Sequence, residues 1–385
     1  MRNPRFDALD LTALRAMGRI SVFENVEAVM ESPRPFRRPR RGGGAASSAF
    51  MLLIWHFAPP ASAEEARFAA GMTQIEFRDP ADETRPIDFL LIYPASPDAT
   101  ATPAGLPLSG NLRLFRDAAV APGEYKHPLI VFSHGAGGNA SGYAWFGEFL
   151  AERGYVVAMA YHYRANTFDT SALYVRNRLW RRPLDLSLII THLLQDPVWG
   201  QRLDPDRIGV AGHSQGGFTA LWIGGAQVDP ALFEAYQRGW KSNYAVPAYL
   251  RAQMEVDAGP TRHLEDDRVK AAFAMAPGDL KAFGMDEAGL AKMKIPAYLI
   301  VGAGDTTTPI ADNAGFAAKF IPDARINVLP GPVGHEIFGN ECDEVGRDNY
   351  PEACVDAPSV DRARLHIYIG EAALEFFNRT LGARP

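Results

Sequence analysis

The stretch Gly212-His213-Ser214-Gln215-Gly216 decides how this sequence folds. It follows the apolar run Arg207-Ile208-Gly209-Val210-Ala211, which predicts a buried strand, and it precedes residues 217–223, which predict the start of a helix. A serine between a strand and a helix, with glycines two positions before and after it, is typical of a tight turn that presents the hydroxyl as a nucleophile. The helix that follows favours negative charge near its first turn. An ordinary loop serine in a tight turn is the alternative.

Length and composition fit one large α/β domain or two small ones. The chain has 385 residues, of which 47% are hydrophobic and 22% charged, and its formal net charge is −6. This composition supplies enough apolar material for a core. The mildly acidic balance indicates no nucleic-acid partner. The one basic cluster, residues 37–41, lies in an N-terminal segment that we expect to be removed.

The first 63 residues predict a leader rather than part of the folded domain. Basic residues 37–41 precede an apolar, small-residue run at 45–60, and Ala61-Ser62-Ala63 resembles a signal-peptidase site. We therefore expect a signal peptide at about residues 37–63, cleavage after Ala63, and a periplasmic or secreted protein with no stable membrane span. A hydrophobic N-terminal helix is the alternative. Residues 1–35 are too long and too acidic for the basic region of such a peptide, which suggests a translation start after Met1.

Alternating strand and helix patterns across residues 64–385 predict one α/β domain with a mainly parallel sheet flanked by helices. Strands are predicted at residues 87–93, 129–133, 155–160, 207–211, 269–275, 295–302 and 324–329, and helices at 144–152, 183–195, 217–223, 310–320 and 362–381. The alternation breaks at about residues 229–267, which are rich in Tyr, Trp, Arg and Glu. We predict that this insertion forms a small cap over the C-terminal edge of the sheet.

Two further residues complete a candidate catalytic set. A serine hydroxyl needs a base that takes its proton, and the base needs a carboxylate that orients it. His335, in the Gly/Pro-rich loop after the last predicted strand, is the expected base. Asp305, in the turn after the strand at 295–302, is the expected carboxylate, with a helix N-cap as its alternative role. Asp279 and Asp312 are weaker candidates for the carboxylate.

The sequence also offers donors for an oxyanion, which needs two backbone amides. One is expected from Gln215, directly after the serine. The other is expected from the glycine-rich loop Ser133-His134-Gly135-Ala136-Gly137-Gly138, with Ala136 preferred and Gly137 as the alternative. This loop lacks the Lys-Ser/Thr pair of a phosphate-binding loop, which disfavours that interpretation.

The order Ser214, Asp305, His335 along the chain is that of the α/β-hydrolases, and the sequence resembles this superfamily over about residues 87–381. The carrying segments are residues 128–135, 154–158, 212–217 and 302–305. More narrowly, the chain resembles the dienelactone hydrolase-like group related to platelet-activating-factor acetylhydrolases. The resemblance implies a Ser-Asp-His triad, an acyl-enzyme esterase reaction on a small-molecule ester, and no cofactor or metal. True dienelactone hydrolases use cysteine where this chain has Ser214, which argues against dienelactone as the substrate.

The remaining candidates concern the pocket and the cysteines. Cys342 and Cys354 predict a disulfide in an oxidising compartment, and two unrelated thiols are the alternative. A zinc site is not predicted, because no histidine pair lies near the two cysteines. The candidate pocket residues are His134, His213, Tyr236, Trp240, Tyr244 and Tyr249. Ordinary cap packing is the alternative for the last four, which lie in the insertion.

Two other functions stay open at this stage. A serine peptidase or amidase would use the same three residues, but no carboxylate or arginine for anchoring a peptide terminus can be identified. A non-catalytic binding protein of the same fold is less favoured, because the candidate triad is intact. The sequence gives no signal for an oligomeric state.

Overall fold

The computed structural model describes residues 66–96, 101–123, 126–173, 178–244, 247–256, 259 and 264–382. The leader and signal peptide predicted at residues 1–63 lie outside these residues. Within the described ranges, no helix has the length and apolar character needed to cross a lipid bilayer.

One mixed sheet organises the described residues. Its strands are β1 (Ala69–Asp79), β2 (Asp82–Ala95), β3 (Thr102–Ala104), β4 (Leu114–Arg116), β5 (His127–Ser133), β6 (Val156–Tyr161), β7 (Leu203–His213), β8 (Val269–Met275), β9 (Ala297–Gly302) and β10 (Ala324–Leu329). Within these ranges the ten strands lie in the order β10-β9-β8-β7-β5-β6-β2-β1-β4-β3. From β10 to β6 all neighbours are parallel, whereas β2 is antiparallel to both β6 and β1.

Helices connect the strands of the parallel half and continue beyond it. They are α1 (Ala144–Ala151), α2 (Arg181–Gln195), α3 (Gln215–Ile223), α4 (Pro230–Ser242), α5 (Ala248–Gln253), α6 (Glu287–Leu290), α7 (Ala314–Phe320), α8 (Glu344–Asn349), α9 (Pro351–Cys354) and α10 (Arg362–Leu381). Single 3-10 turns occur at Ala140–Tyr143 and His335–Phe338.

The central strands are buried on both faces. Every residue of β5 is buried, and its run His127-Pro128-Leu129-Ile130-Val131-Phe132-Ser133 lacks the polar alternation of a strand with one wet face. Such continuous apolar runs are expected where helices cover both faces of a parallel sheet. The candidate nucleophile follows β7, which lies between β5 and β8 and therefore in the middle of the sheet.

Alternation along β7 shows which helix covers which face. A Cβ built on Gly209 would lie 2.8 Å from the ring of Phe377 in α10, whereas one on Gly212 would lie 2.2 Å from the backbone of Gly216 in α3. Residues an odd number of positions apart in a strand point to opposite faces. Helices α10 and α3 therefore cover opposite faces of β7.

The predicted fold class is confirmed, and the main difference lies at the N-terminal edge. Strand β1 pairs with β2 in a long antiparallel hairpin that the sequence analysis did not identify. Its burial alternates from residue to residue in the second half, as expected for a strand near the sheet edge with one exposed face. The insertion at 229–267 contains α4 and α5, and its role as a cap stays a prediction.

Candidate active site

Ser214 occupies a strained backbone position between β7 and α3. Its φ of 55° and ψ of −120° lie in a region that side-chain-bearing residues seldom adopt. Neighbouring backbone groups hold it there: the Ser214 amide donates to the Met275 carbonyl over 2.9 Å, and the Gly278 amide donates to the Ser214 carbonyl over 3.1 Å. The end of β8 and the turn after it thus fix the serine.

The glycines around Ser214 have no room for a side chain. A Cβ on Gly216 would lie 1.8 Å from the carbonyl oxygen of Ser133, and one on Gly212 would lie 2.2 Å from the carbonyl oxygen of Gly216. Both distances are far below van der Waals contact, so the tight turn requires glycine at these two positions.

His335 and Asp305 form a buried pair after neighbouring strands. His335 Nδ1 lies 2.7 Å from Asp305 Oδ2. The backbone amide of Thr308 donates to Asp305 Oδ1 over 2.8 Å, and the Thr308 hydroxyl donates to Oδ2 over 2.8 Å. Because the carboxylate only accepts, this arrangement assigns the proton to Nδ1 and leaves Nε2 of His335 available as a base.

Pairing raises the pKa of His335 and lowers the pKa of Asp305. Burial by itself would lower the pKa of His335, but the hydrogen bond and negative charge of Asp305 outweigh it and raise the pKa above its ordinary value. Burial likewise would raise the pKa of Asp305, but the hydrogen bond and charge of His335, with the bonds from Thr308, lower it. A protonated imidazole is therefore stabilised at this position.

His213, the residue before the serine, bridges two parts of the site. Its ring is buried, with Nδ1 2.9 Å from the hydroxyl of Tyr143 and Nε2 3.1 Å from the carbonyl oxygen of His335. The rings of His213 and His335 lie 4.5 Å apart. His213 thus fixes the backbone of His335 beside the turn that carries Ser214. Tyr143 was not identified from the sequence.

The glycine-rich loop lies on the other side of the serine. Gly138 donates its amide to the Gly135 carbonyl over 3.3 Å, closing a turn in which Gly137 has a φ of 69°. A Cβ on Gly135 would lie 3.4 Å from Cβ of Ser214. The loop that contains Ala136 and the first residue of α3, Gln215, therefore both border the serine.

A buried arginine joins these two elements. Arg182 Nη1 donates to Gln215 Oε1 over 3.0 Å, and its Nη2 donates to Ser133 Oγ over 3.1 Å and to the carbonyl oxygen of His134. The His134 ring is itself buried, with Nδ1 2.7 Å from the carbonyl oxygen of Gly135. Nothing in the local sequence around Arg182 indicates this role, because its partners come from distant segments.

The aromatic residues of the insertion, predicted as pocket residues, lie in two kinds of environment. Tyr236 packs edge-on against Phe283, with ring centroids 5.1 Å apart, and Trp240 lies beside Tyr236. The side chains of Tyr244 and Tyr249 are exposed, at 89% and 66%. A cleft beside Gln215 is lined by none of these four residues.

The segment after His335 is anchored from several directions. Asn340 accepts from the Trp145 amide over 3.2 Å through its side chain, and its carbonyl oxygen accepts from Arg362 over 3.1 Å. The disulfide predicted between Cys342 and Cys354 is present directly after this point. Together these contacts restrict the loop that carries the imidazole. No group of three or more His, Cys, Asp or Glu side chains in the described ranges is arranged to hold a metal ion.

Comparisons with known proteins bear on the fold. Residues 109–178 match the family described as platelet-activating factor acetylhydrolase, isoform II, a segment that contains the glycine-rich loop but ends before Ser214. Among solved structures, the chain is similar to a ferulic acid esterase from Streptomyces cinnamoneus, at 22% identity and a TM-score of 0.56, over 85% of this chain and 93% of that one. The chain has the α/β-hydrolase fold. A search of the curated proteins found no match.

In this α/β-hydrolase fold, the candidate residues follow three strands of the parallel half of the sheet. Ser214 follows β7, Asp305 follows β9, and His335 follows β10. The carboxyl ends of parallel strands meet at one edge of a sheet, which is where open α/β sheets bind their ligands.

Proposed function

We propose that the protein is a serine hydrolase that cleaves carboxylic esters through an acyl-enzyme on Ser214. The observation that carries this proposal is the hydrogen-bonded pair of His335 and Asp305, whose imidazole lies 4.5 Å from the ring of His213, the residue directly before a serine in a strained turn. Strain of this kind persists where surrounding structure enforces it, and it concentrates at functional sites.

The first step is attack on the ester carbonyl. Nε2 of His335 takes the proton of the Ser214 hydroxyl as its oxygen bonds to the carbonyl carbon. Asp305 keeps the imidazole in the required tautomer and stabilises its protonated form, which agrees with the raised pKa of His335. His335 then gives the proton to the leaving alcohol. In the second step it activates a water that releases the acid and frees Ser214.

The backbone stabilises the charge that develops on the carbonyl oxygen. We assign the oxyanion contacts to the amides of Gln215 and Ala136, with Gly137 as the alternative second donor. The support for this assignment is that α3 and the glycine-rich loop border Ser214 from two directions. A lost oxyanion donor typically lowers kcat by about 10²- to 10³-fold.

Ester rather than amide cleavage is favoured by the similar proteins. The matched family is described as an acetylhydrolase, and the similar solved structure as a ferulic acid esterase. The same triad can cleave peptides, so an esterase and an amidase must be separated by substrate rather than by site geometry.

The test is hydrolysis of p-nitrophenyl esters from acetate to laurate by the purified protein and its Ser214→Ala variant. We expect Ser214→Ala to lower kcat by roughly 10⁴-fold or more. Ser242→Ala is the matched control, because its hydroxyl bonds the Arg238 carbonyl at the end of α4. A folded wild-type protein that cleaves none of these esters, or a Ser214→Ala variant with full activity, would overturn the proposal.

We also propose that the protein is exported and cleaved after Ala63. The disulfide between Cys342 and Cys354 supports this, because such bonds persist in oxidising compartments. The test of this export proposal is N-terminal sequencing of the protein produced in a bacterial culture. The protein is recovered separately from the cells and from the medium. We expect Glu64 as the first residue; a first residue before Ala45 would contradict the proposal.

A further inference from the structure

A cleft rich in arginine reaches Gln215, the residue directly after the candidate nucleophile. Gln215 forms part of its wall, and its empty space, counted out to the open mouth, is about 540 Å³. Leu173, also in the wall, has Cδ2 3.7 Å from the position of a Cβ on Gly137. The cleft therefore borders both elements to which we assign the oxyanion contacts.

The charged residues of the cleft wall are strongly unbalanced. Within the described part of the chain, five guanidinium groups and a single carboxylate line it, a formal sum of +4 in a chain whose net charge is −6. The charged side chains are Arg85, Arg164, Arg178, Arg181, Arg182 and Asp185.

The one carboxylate is already used by other partners. Asp185 Oδ1 accepts from Arg85, and its Oδ2 lies 2.8 Å from Nδ1 of buried His162. Arg85 is paired a second time, 2.6 Å from Asp79. The charges of Arg181 and Arg182 also act on Asp185, so several cations of the wall share this one carboxylate. Outside the wall, Asp82 acts on Arg181 and Asp169 acts on Arg164, both across exposed surface.

The start of α2 adds to this positive field. Arg181 and Arg182 are its first residues, and its first turn has neither an acidic residue nor a side-chain cap among the described residues. A helix N-terminus already favours negative charge, so cations there are unfavourable unless an anion is present. Burial lowers the pKa of Arg181, and the neighbouring charges of Arg178 and Arg85 lower it further, while Asp185 and Asp82 act in the opposite direction.

We propose that this cleft binds a carboxylate or phosphate group carried by the ester substrate. Guanidinium groups suit both anions, because their planar array of donors matches two acceptor oxygens at once. Because the cleft wall includes Gln215, the residue after Ser214, an ester held here by its anion can extend toward the nucleophile. The inference rests on the proposed ester hydrolysis and names the class of ester that the site prefers.

The experiment compares charged esters with neutral ones of similar shape. The carboxylate pair is mono-p-nitrophenyl glutarate and p-nitrophenyl valerate; the phosphate pair is acetylated glycerol phosphate and glycerol monoacetate. The measured quantity is the ratio of kcat/KM for the anionic ester to that for the neutral one. The variant is Arg178→Gln combined with Arg181→Gln, and Arg238→Gln on α4 is the matched control.

We expect a ratio well above one for at least one pair, and that pair identifies the anion. In the double variant this ratio should fall about tenfold, because hydrogen bonds to a charged group are lost. The control should keep the wild-type ratio. In the wild type, added salt should lower the rate for the anionic ester more than for the neutral one. Ratios at or below one for both pairs, or a ratio unchanged in the folded double variant, would overturn the inference.

A separate measurement distinguishes this inference from the proposed function. If no ester is cleaved, the esterase proposal fails, and calorimetric titration with glutarate and glycerol phosphate then judges the cleft alone. Binding by the wild type that weakens in the double variant supports an anion site, and absence of binding contradicts it. The wild-type titration also decides the matter if the double variant does not fold.

Discussion

His335 Nδ1 and Asp305 Oδ2 lie 2.7 Å apart in a buried environment, while Thr308 donates to both oxygens of the same carboxylate. The carboxylate is thus held by three donors, and the imidazole can rotate little without losing its partner. This relationship makes the account testable, because each partner can be changed with little loss of volume.

Asp305→Asn should lower kcat by about 10³- to 10⁴-fold, because an amide favours the wrong imidazole tautomer while leaving the geometry intact. Steady-state kinetics on p-nitrophenyl acetate measure the effect. Asp312→Asn is the matched control, since Asp312 is exposed and lies 3.5 Å from Lys281. Equal losses in the two variants would rule out the assigned role of Asp305.

The pH dependence should follow the raised pKa of His335. The base acts only when neutral, so kcat/KM should be full above its pKa and fall as the pH drops through it. Because Asp305 raises this pKa, the acid limb should have its midpoint above the ordinary value of about 6.5. In Asp305→Asn the midpoint should move to lower pH. A midpoint that is the same in Asp305→Asn as in the wild type would contradict the pairing of Asp305 with His335.

Gly216→Ala should destabilise the fold by about 1–3 kcal/mol and abolish most activity, since its Cβ would lie 1.8 Å from the Ser133 carbonyl oxygen. Gly239→Ala is the control. No atom lies within 4 Å of its added Cβ, and it is within α4, so this change should stabilise by about 0.5–1 kcal/mol. Thermal unfolding of both variants gives the comparison, and similar melting temperatures would show that the turn has more room than described.

His213→Leu should cost about 1–3 kcal/mol of stability, because the buried His335 carbonyl and Tyr143 hydroxyl each lose a hydrogen-bond partner. Tyr143→Phe alone should cost about 1 kcal/mol. In the His213→Leu background, adding Tyr143→Phe should cost much less, because the shared bond is already gone. Additive losses from denaturant unfolding would argue that the two side chains act independently.

Replacing both Cys342 and Cys354 by serine should lower the free energy of unfolding by about 3 kcal/mol, mainly by releasing the unfolded chain. A reducing agent should lower the melting temperature of the wild type to that of the variant and leave the variant unchanged. A wild-type protein insensitive to reduction under denaturing conditions would contradict this account.

Local patterns predicted the centre of the sheet well. Strands at 269–275 and 324–329 and the helix at 362–381 have the predicted bounds, because each is a strongly periodic or continuously apolar run with clear ends. Strand β1 was missed, and the short strands β3 and β4 offer only three residues each to a pattern search. The structure brings together Asp305 and His335, both named from turns that follow strands.

The residues that sequence reasoning missed act across long separations. Tyr143 contacts His213, which is 70 positions away, and Arg182 contacts Gln215 and His134, which are 33 and 48 positions away. Such contacts depend on which strands become neighbours, and no local period carries that information. Composition suggested Tyr244 and Tyr249 of the insertion as pocket residues; both are exposed, and their role in a pocket stays a prediction.

The most direct test is to look for the covalent intermediate itself. The protein would be mixed with p-nitrophenyl acetate, quenched in acid, and its mass and peptides measured. The account predicts that the wild-type protein gains an acetyl group on the peptide that contains Ser214. In His335→Ala this acetyl group should form only slowly, and in Ser214→Ala it should be absent. Hydrolysis that proceeds at the wild-type rate in Ser214→Ala, or an acetyl group found on another residue as the turnover intermediate, would contradict it.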